Sequence, residues 1–236
     1  MTGSIGRHII TFRAKREIAE NTDLYSFNMP EDFTFTAGQF ATLRIPSIAR
    51  NYKPADAVRA FSFASAPHEA ELAFAWRRSE SPFKKTADKL VPGDTVEMIA
   101  PAGHAVVPDD RDVIFLVGGI GITPVRSILR HVQHCDEHSN RFTLLYSNRT
   151  PKDAPFFSEM HQYDNVCKIV YTMTEADNTW AGETGFIDTA MVQRAIDTYN
   201  DQIFYIVGTG GFVEAMRAVV ADFGVGNDHI ICDNFG

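Results

Sequence analysis

The sequence predicts two domains: an N-terminal antiparallel six-stranded β-barrel over residues 1–108 and a C-terminal α/β domain over residues 109–236, built on a doubly wound parallel sheet of five strands. Three observations carry this division. Six short runs in the first hundred residues alternate apolar and polar side chains with period two. From Arg111 onward, apolar runs alternate with amphipathic helical segments. Between the two lies a polar stretch, Pro108, Asp109, Asp110 and Arg111, which reads as a short linker.

The barrel strands are placed at residues 9–13, 24–28, 40–45, 60–64, 72–76 and 96–99, with Pro30, Gly38, Pro46, Pro67 and the cluster Pro92, Gly93, Asp94 as turn residues between them. Six short strands with one helix-like segment fit a small closed barrel. In the second domain, strands are placed at 113–117, 142–146, 168–171, 203–207 and 230–232, and helices at 124–132, 156–161, 188–195 and 212–223. That alternation is the βαβ pattern of a parallel sheet with helices on both faces.

Composition narrows the function. The chain of 236 residues is 44% hydrophobic, enough to fill a core, and its net charge of −8 argues against nonspecific nucleic-acid binding, which needs surplus Lys and Arg. Cys135, Cys167 and Cys232 lie far apart and form no CxxC pair, so the thiolates for a zinc site or a four-cysteine iron–sulfur cluster are missing from these residues. His131, His134, Cys135 and His138 fall at helical spacing that can suit zinc, but they also end an amphipathic helix, and the reading adopted is a polar flank with no metal. No apolar run approaches the roughly 20 residues of a membrane span, and no apolar h-region follows Met1, so the cytoplasm is the expected location.

Four segments have the make-up of ligand sites. A strand runs into Gly118, Gly119, Ile120, Gly121, Ile122, Thr123 and Pro124 as a helix begins. Glycines permit a tight turn and close backbone approach, Thr123 is a candidate cap and Pro124 a candidate first helical residue, so the turn suits a pyrophosphate at a helix N-terminus. A second such turn, Gly208, Thr209, Gly210 and Gly211, precedes the helix containing Phe212 and can line the same crevice. In the first domain, Arg59, Ala60, Phe61, Ser62, Phe63, Ala64 and Ser65 offer a cation, an aromatic face and small hydroxyls, a set that also fits an ordinary strand. Ser81, Pro82, Phe83, Lys84 and Lys85 read as a helix start, where two cations oppose the macrodipole unless an anion answers them.

In their order, these pieces resemble the ferredoxin–NADP reductase superfamily across essentially the whole chain. Gly38, Gln39, Phe40 are like its GQ-aromatic element; Arg59 to Ser65 like its flavin motif RxYSxxS; Gly119 to Pro124 like its GGxGxTP; and Asp233, Asn234, Phe235, Gly236 like its acidic-x-Phe-x-Gly ending. The resemblance implies FAD and NAD(P)H as cofactors. It implies that Arg59 and Ala60 meet the flavin phosphate side, Phe61 stacks on the isoalloxazine, Ser62 sits near its N5, and Ala75, Trp76 and Arg77 line the flavin. The helix opening at Ser81, with Phe83, Lys84 and Lys85, would receive the pyrophosphate. Gly119, Gly121, Ile122 and Thr123 would hold the nicotinamide nucleotide, with Gly208, Thr209, Gly210, Phe212 and Phe235 flanking it.

Hydride transfer needs positioning more than acid–base chemistry, so Ser62, Thr123 and Asp233 are the residues expected at the reacting rings. Ser147 and Arg149 follow the second strand, where relatives discriminate the adenosine 2′ position; Arg149 can grip a 2′-phosphate, stack on adenine or remain solvated, and the lean is toward NADPH. Departures from the family pattern are Phe61 for tyrosine, Lys84 for a hydroxyl residue, Val207 for cysteine, Thr209–Gly211 for a proline-containing turn, and no aromatic after Gly236. The implied activity is an FAD-dependent NAD(P)H oxidoreductase that passes electrons to a separate acceptor, such as a ferredoxin, a flavodoxin, an oxygenase component or free flavin. The alternative is a flavin-binding redox sensor or regulatory subunit without turnover.

Overall fold

The computed structural model describes residues 4–46, 53–103, 111–135, 141–196, 199 and 201–235. Most of the expected linker, residues 108–110, and the candidate ligand His138 lie outside them, as does Gly236.

The first six strands are β1 (Gly6–Ala19), β2 (Thr22–Asn28), β3 (Phe40–Arg44), β4 (Val58–Ser62), β5 (Glu71–Arg77) and β6 (Thr95–Ala102), with helix α1 (Pro82–Ala87) after β5. They form one antiparallel sheet in the order β4-β3-β6-β1-β2-β5. The edges meet where the Ala64 N–H donates to the Ala73 carbonyl at 2.8 Å. Strand β1 is much longer than the alternation indicates, because it serves two neighbours in turn. Its first half pairs with β6 and its second half, bent by register shifts after Phe12 and Glu17, pairs with β2. That second half is mostly exposed and polar, and apolar alternation is lost in it. Inside the barrel, Phe12, Tyr25, Phe27, Phe35, Phe63, Phe74, Trp76 and Phe83 make an aromatic-rich core.

The second sheet holds β7 (Val113–Gly118), β8 (Phe142–Asn148), β9 (Lys168–Met173), β10 (Glu183–Thr184), β11 (Ile203–Gly208) and β12 (Ile230–Asn234), all parallel, in the order β10-β9-β8-β7-β11-β12. It therefore has six strands rather than the expected five. The additional strand, β10, is two residues long and pairs only with Thr172 and Met173, too short and too polar to give a period-two signal. Helices α2 (Ile122–His134) and α3 (Phe157–Met160) pack on one face of the sheet, and α4 (Thr189–Ile196) and α5 (Gly210–Ala221) on the other. The chain winds outward from β7 to β8 in one direction and from β11 to β12 in the other, so the switch point lies between the carboxyl ends of β7 and β11.

The two domains share buried surface. Leu24, Ala37, Ala64, Ala73 and Ala75 on the outside of the barrel join the core formed by α2, α3 and the sheet. Among the described residues, no helix is long and apolar enough to cross a membrane.

Candidate functional site

Alternation along β4 sorts the first motif onto two faces. Phe61 and Phe63 pack toward the barrel interior, whereas Ala64 belongs to the core shared with the second domain, which puts Ser62, 4% exposed, on the interdomain side. Ala60 is exposed. The Phe61 ring lies 4.5 Å from Trp76 and 5.5 Å from Phe83. The Arg59 guanidinium donates to the carbonyls of Ala55 (3.0 Å) and Val58 (2.6 Å).

Helix α1 starts where its sequence places it. Ser81 is the N-cap and accepts the Lys84 N–H at 3.3 Å, and Pro82 holds the first helical position. Lys85 is turned outward to Glu80. Lys84 is half-buried, and its ammonium is held below the ordinary lysine value first by burial and then by the neighbouring cations Arg59 and Arg77. Among the described residues, neither Lys84 nor Arg59 pairs with a carboxylate. Two cations without such a counterweight, Arg59 and Lys84, with the charge of Arg77 beside them, suit an anion.

Strand β5 alternates in the same way. Leu72, Phe74 and Trp76 face the barrel interior, and Ala73, Ala75 and Arg77 face outward. Trp76, expected to line the cofactor, is 3% exposed, with its indole stacked on Tyr25 at 3.9 Å; it backs Phe61 instead of opening onto the cleft. Arg77 crosses to the second domain, donating to the Asp153 carbonyl at 3.3 Å with its carboxylate 3.8 Å away.

At the switch point, Gly119 to Gly121 wind as a 3₁₀ turn that runs directly into α2. Gly119 adopts a left-handed φ of +54°. A Cβ on Gly121 would stand 2.6 Å from the Val207 carbonyl oxygen, and Cβ atoms on Gly118 and Gly208 would meet the Phe212 ring at 2.9 and 2.6 Å. The two glycine turns therefore line one crevice, with Phe212 lying across both. Because the 3₁₀ turn brings the chain into α2 early, Gly121 occupies the N-cap and Pro124 the third position, where its missing N–H still costs no helical bond. Thr123 is therefore not the cap; it is 2% exposed, and its hydroxyl donates back to the Ile120 carbonyl at 3.1 Å. Ile122 is wholly buried beneath the turn.

Thr209 caps α5, accepting the Phe212 N–H at 3.4 Å. The end of the described chain runs alongside, with the Phe235 N–H donating to the Gly208 carbonyl at 2.8 Å. Ser147 pairs with Gly118 at the end of β8. Arg149 projects into solvent but is held by Asp153 at 2.5 Å. Asp153 is buried, which would push its carboxyl up, yet the bonds from Thr150 and Arg149 and the charges of Arg149 and Arg77 outweigh this and hold it below the ordinary range.

Asp233 accepts the Tyr205 hydroxyl at 2.5 Å. Burial raises its carboxyl above the ordinary range, and Tyr205 offsets only part of that. The folded state thus favours the protonated form; the associated stability is complete below the unfolded carboxyl pKa and is lost as pH rises through the raised folded value. Asp233→Asn is therefore expected to raise the melting temperature at about pH 7.5, with the gain shrinking toward about pH 4. Melting curves across that range check this, and a shift of equal size at both ends would contradict it.

Several residues that shape the site carry no distinguishing signal in the sequence. The Tyr146 hydroxyl is shared between the carbonyls of Gly119 (3.2 Å) and Pro155 (3.0 Å), bracing the first glycine turn. Asp153 joins Arg77 to Arg149. Arg126, inside the apolar stripe of α2, reaches Ala64 of the barrel. Of the histidines and the cysteine at helical spacing on α2, His134 stacks on His68 at 3.7 Å and His131 lies against Cys135 at 3.8 Å; no group among the described residues is arranged to hold a metal.

Residues 115–218 match the oxidoreductase NAD-binding domain family. Over 253 aligned positions, the chain is 24% identical to a component of the Na(+)-translocating NADH-quinone reductase of Yersinia enterocolitica, covering 97% of this chain and 61% of that protein. It is 26% identical over 200 positions to the ferredoxin reductase component of the 3-ketosteroid-9-alpha-monooxygenase of Mycobacterium tuberculosis, covering 81% of this chain and 52% of that protein. The chain thus spans between half and two thirds of the length of these relatives. Its fold superposes on a ferredoxin NADP+ reductase from Neisseria gonorrhoeae, whose structure contains FAD and NADP, with a TM-score of 0.80, 21% identity and coverage of 97% of this chain and 98% of that one. With the barrel, the switch-point crevice and the NAD-binding domain in this order, the chain has the two-domain fold of that ferredoxin NADP+ reductase and carries an oxidoreductase NAD-binding domain over residues 115–218.

Proposed function

We propose that the chain is an FAD-dependent NAD(P)H oxidoreductase that moves a hydride from the nucleotide to the flavin and passes electrons on to a separate acceptor, either a partner protein or free flavin. One observation carries the reading: two anion-receptive sites, on different domains, face each other across one seam and are bridged by Arg77. The first is the group Arg59, Lys84 and Arg77 at the start of α1, and the second is the pair of glycine turns at the switch point. In this reading residues 1–108 form the FAD domain and residues 109–236 the NAD(P)H domain.

When bound, the nicotinamide supplies a hydride from C4 with its electron pair and the flavin accepts it at N5, so the nucleotide is oxidised and the flavin reduced. The protein's part is to bind, orient and exclude water. Arg59 and Lys84 would hold the flavin phosphates, Phe61, backed by Trp76 and Phe83, would offer an aromatic face, and Ser62, on the interdomain side, would serve the flavin edge. Gly119, Gly121 and the N-terminus of α2 hold the nucleotide phosphates, while Thr209, Gly210, Phe212 and Phe235 border its other side. Asp233, fixed by Tyr205, lies at the same end of the sheet.

A separate acceptor suits a chain whose three cysteines are all free, because these residues supply no four-thiolate cluster for one-electron relay. Free thiols and the need for reduced nucleotide both support a cytoplasmic setting. The choice between NADH and NADPH turns on Arg149, whose guanidinium is engaged by Asp153 and would have to leave it to grip a 2′-phosphate.

The test is spectral. Purified protein is expected to be yellow, to bleach rapidly on anaerobic mixing with NADH or NADPH, and to reduce ferricyanide catalytically. Flavin that binds but does not bleach would instead favour a redox sensor, and colourless protein that takes up neither cofactor would end the proposal.

A further inference from the structure

Arg126 lies in the middle of the apolar stripe of α2 and is 5% exposed, yet its guanidinium is paired with groups from both domains. Its Nη1 donates to the Ala64 carbonyl, its Nε and Nη2 lie 2.8 and 3.1 Å from the Glu159 carboxylate, and its carbon stands 4.5 Å above the Phe156 ring. The adjacent Ser127 hydroxyl, fully buried, donates to the Ser65 carbonyl at 2.7 Å. Glu159 is held in turn by Arg130 and the Tyr163 hydroxyl, and Arg130 reaches Glu69 of the barrel at 2.6 Å. A buried guanidinium is tolerable only when paired, and here the bonds of Nη1 and Nη2, together with the Glu159 ion pair, hold its planar fork in one orientation.

What these bonds connect gives them their meaning. Ala64 and Ser65 stand two and three residues after Ser62; Arg126 and Ser127 stand three and four residues after Thr123. Elsewhere the barrel meets α2 and the sheet largely through Leu24, Ala37, Ala73 and Ala75, whose apolar contact is non-directional, while Glu20 and Arg77 bond to the loop at Lys152 and Asp153, away from the start of α2. Directional bonds set register, and these join the residues just after Ser62 to the second turn of α2.

We propose that Arg126 is a positioning residue that sets the separation between the flavin strand and the nucleotide turn, and with it the approach of the two reacting rings. This rests on the oxidoreductase reading above. Neither Arg126 nor Ser127 is placed in contact with either cofactor, so their loss should alter ring approach while leaving both binding sites intact.

The experiment uses flavin-loaded parent protein, Arg126→Met, which keeps bulk but loses the fork, and Ser127→Ala, which loses one hydroxyl. Three quantities are read: the dissociation constant for oxidised nucleotide, the long-wavelength charge-transfer absorbance formed when nicotinamide stacks on flavin, and the rate of flavin reduction with its primary deuterium isotope effect. Arg126→Met is expected to keep flavin content and nucleotide affinity, lose the charge-transfer absorbance, slow flavin reduction about 10- to 100-fold and show a larger isotope effect. Ser127→Ala is expected to shift all three in the same direction by less. If Arg126→Met does not fold, Ser127→Ala decides.

Parental rate, absorbance and isotope effect in a folded variant would overturn the proposal. So would a loss of rate that merely tracks lost flavin or lost folded protein, since that assigns Arg126 to stability alone. A parent protein that binds no flavin, or is not bleached by nucleotide, fails the oxidoreductase reading instead.

Discussion

Arg59→Ala is expected to yield protein that purifies with little or no flavin. The guanidinium is pre-aimed by the carbonyls of Ala55 and Val58 and stands beside a half-buried Lys84 that lacks an acidic partner among the described residues. A hydrogen bond to a charged group contributes about 1.5–3 kcal/mol, so losing one such contact weakens flavin binding about 10- to 150-fold. The same substitution removes a like-charge neighbour of Lys84, so flavin-free Arg59→Ala should melt no lower than the flavin-free parent. Opposite responses of affinity and stability are the signature of a cation placed for a ligand and not for the fold. The measurements are flavin absorbance relative to protein absorbance, a flavin titration and melting of both apo forms; a variant with full flavin content would remove Arg59 from the site.

Gly121→Ala should be nearly as damaging, for a steric reason. The added Cβ would sit 2.6 Å from the Val207 carbonyl oxygen and 2.9 Å from its carbon, both backbone atoms of the strand across the switch point. Neither can swing aside as a side-chain tip would, so the turn must move away from β11. Overpacking of this kind costs about 1–3 kcal/mol, and a displaced turn no longer aims its amides at a pyrophosphate. Nucleotide affinity is expected to fall at least about tenfold, a drop of about 1.4 kcal/mol. Gly211→Ala is the matched control, because nothing lies within 4 Å of its would-be Cβ and it sits in a helix, where alanine is preferred by up to about 1 kcal/mol. If Gly121→Ala melts and binds nucleotide like the parent, the close approach of this turn to β11 is not what makes the site.

Much of this architecture is legible in residue order. Period-two alternation locates all six barrel strands, and the βαβ rhythm locates the five longer parallel strands, because burial on one face or two writes itself directly into the pattern of apolar residues. The sharing of one crevice by two glycine turns is also readable, since parallel topology brings the carboxyl ends of neighbouring strands together. What stays hidden depends on partners distant in sequence. Strand β10 exists only because Thr172 and Met173 offer it an edge. The second half of β1 is mostly exposed and polar, and its pairing with β2 is what makes it a strand. Trp76 is expected from the resemblance to line the flavin, and its stacking on Tyr25 inside the barrel depends on a partner about 50 residues away. Arg126 carries no signal in the sequence, because its partners Glu159 and Phe156, and the Ala64 carbonyl, come from two distant segments. Thr123 reads as a cap, and is not one, because a 3₁₀ turn before a helix leaves no mark in composition.

Arg77 belongs to neither anchor alone. It is carried by the barrel, it bonds to Asp153 in the other domain, and its charge is felt at Lys84. An anion arriving beside Lys84 changes the field that holds Arg77 against Asp153, and a nucleotide arriving beside Gly119 changes the same field from the opposite side. In the proposed function the occupancies of the two sites would therefore be energetically coupled, and thermodynamic reciprocity would make that coupling equal in both directions, so that whichever molecule enters first alters the reception of the other by one common factor.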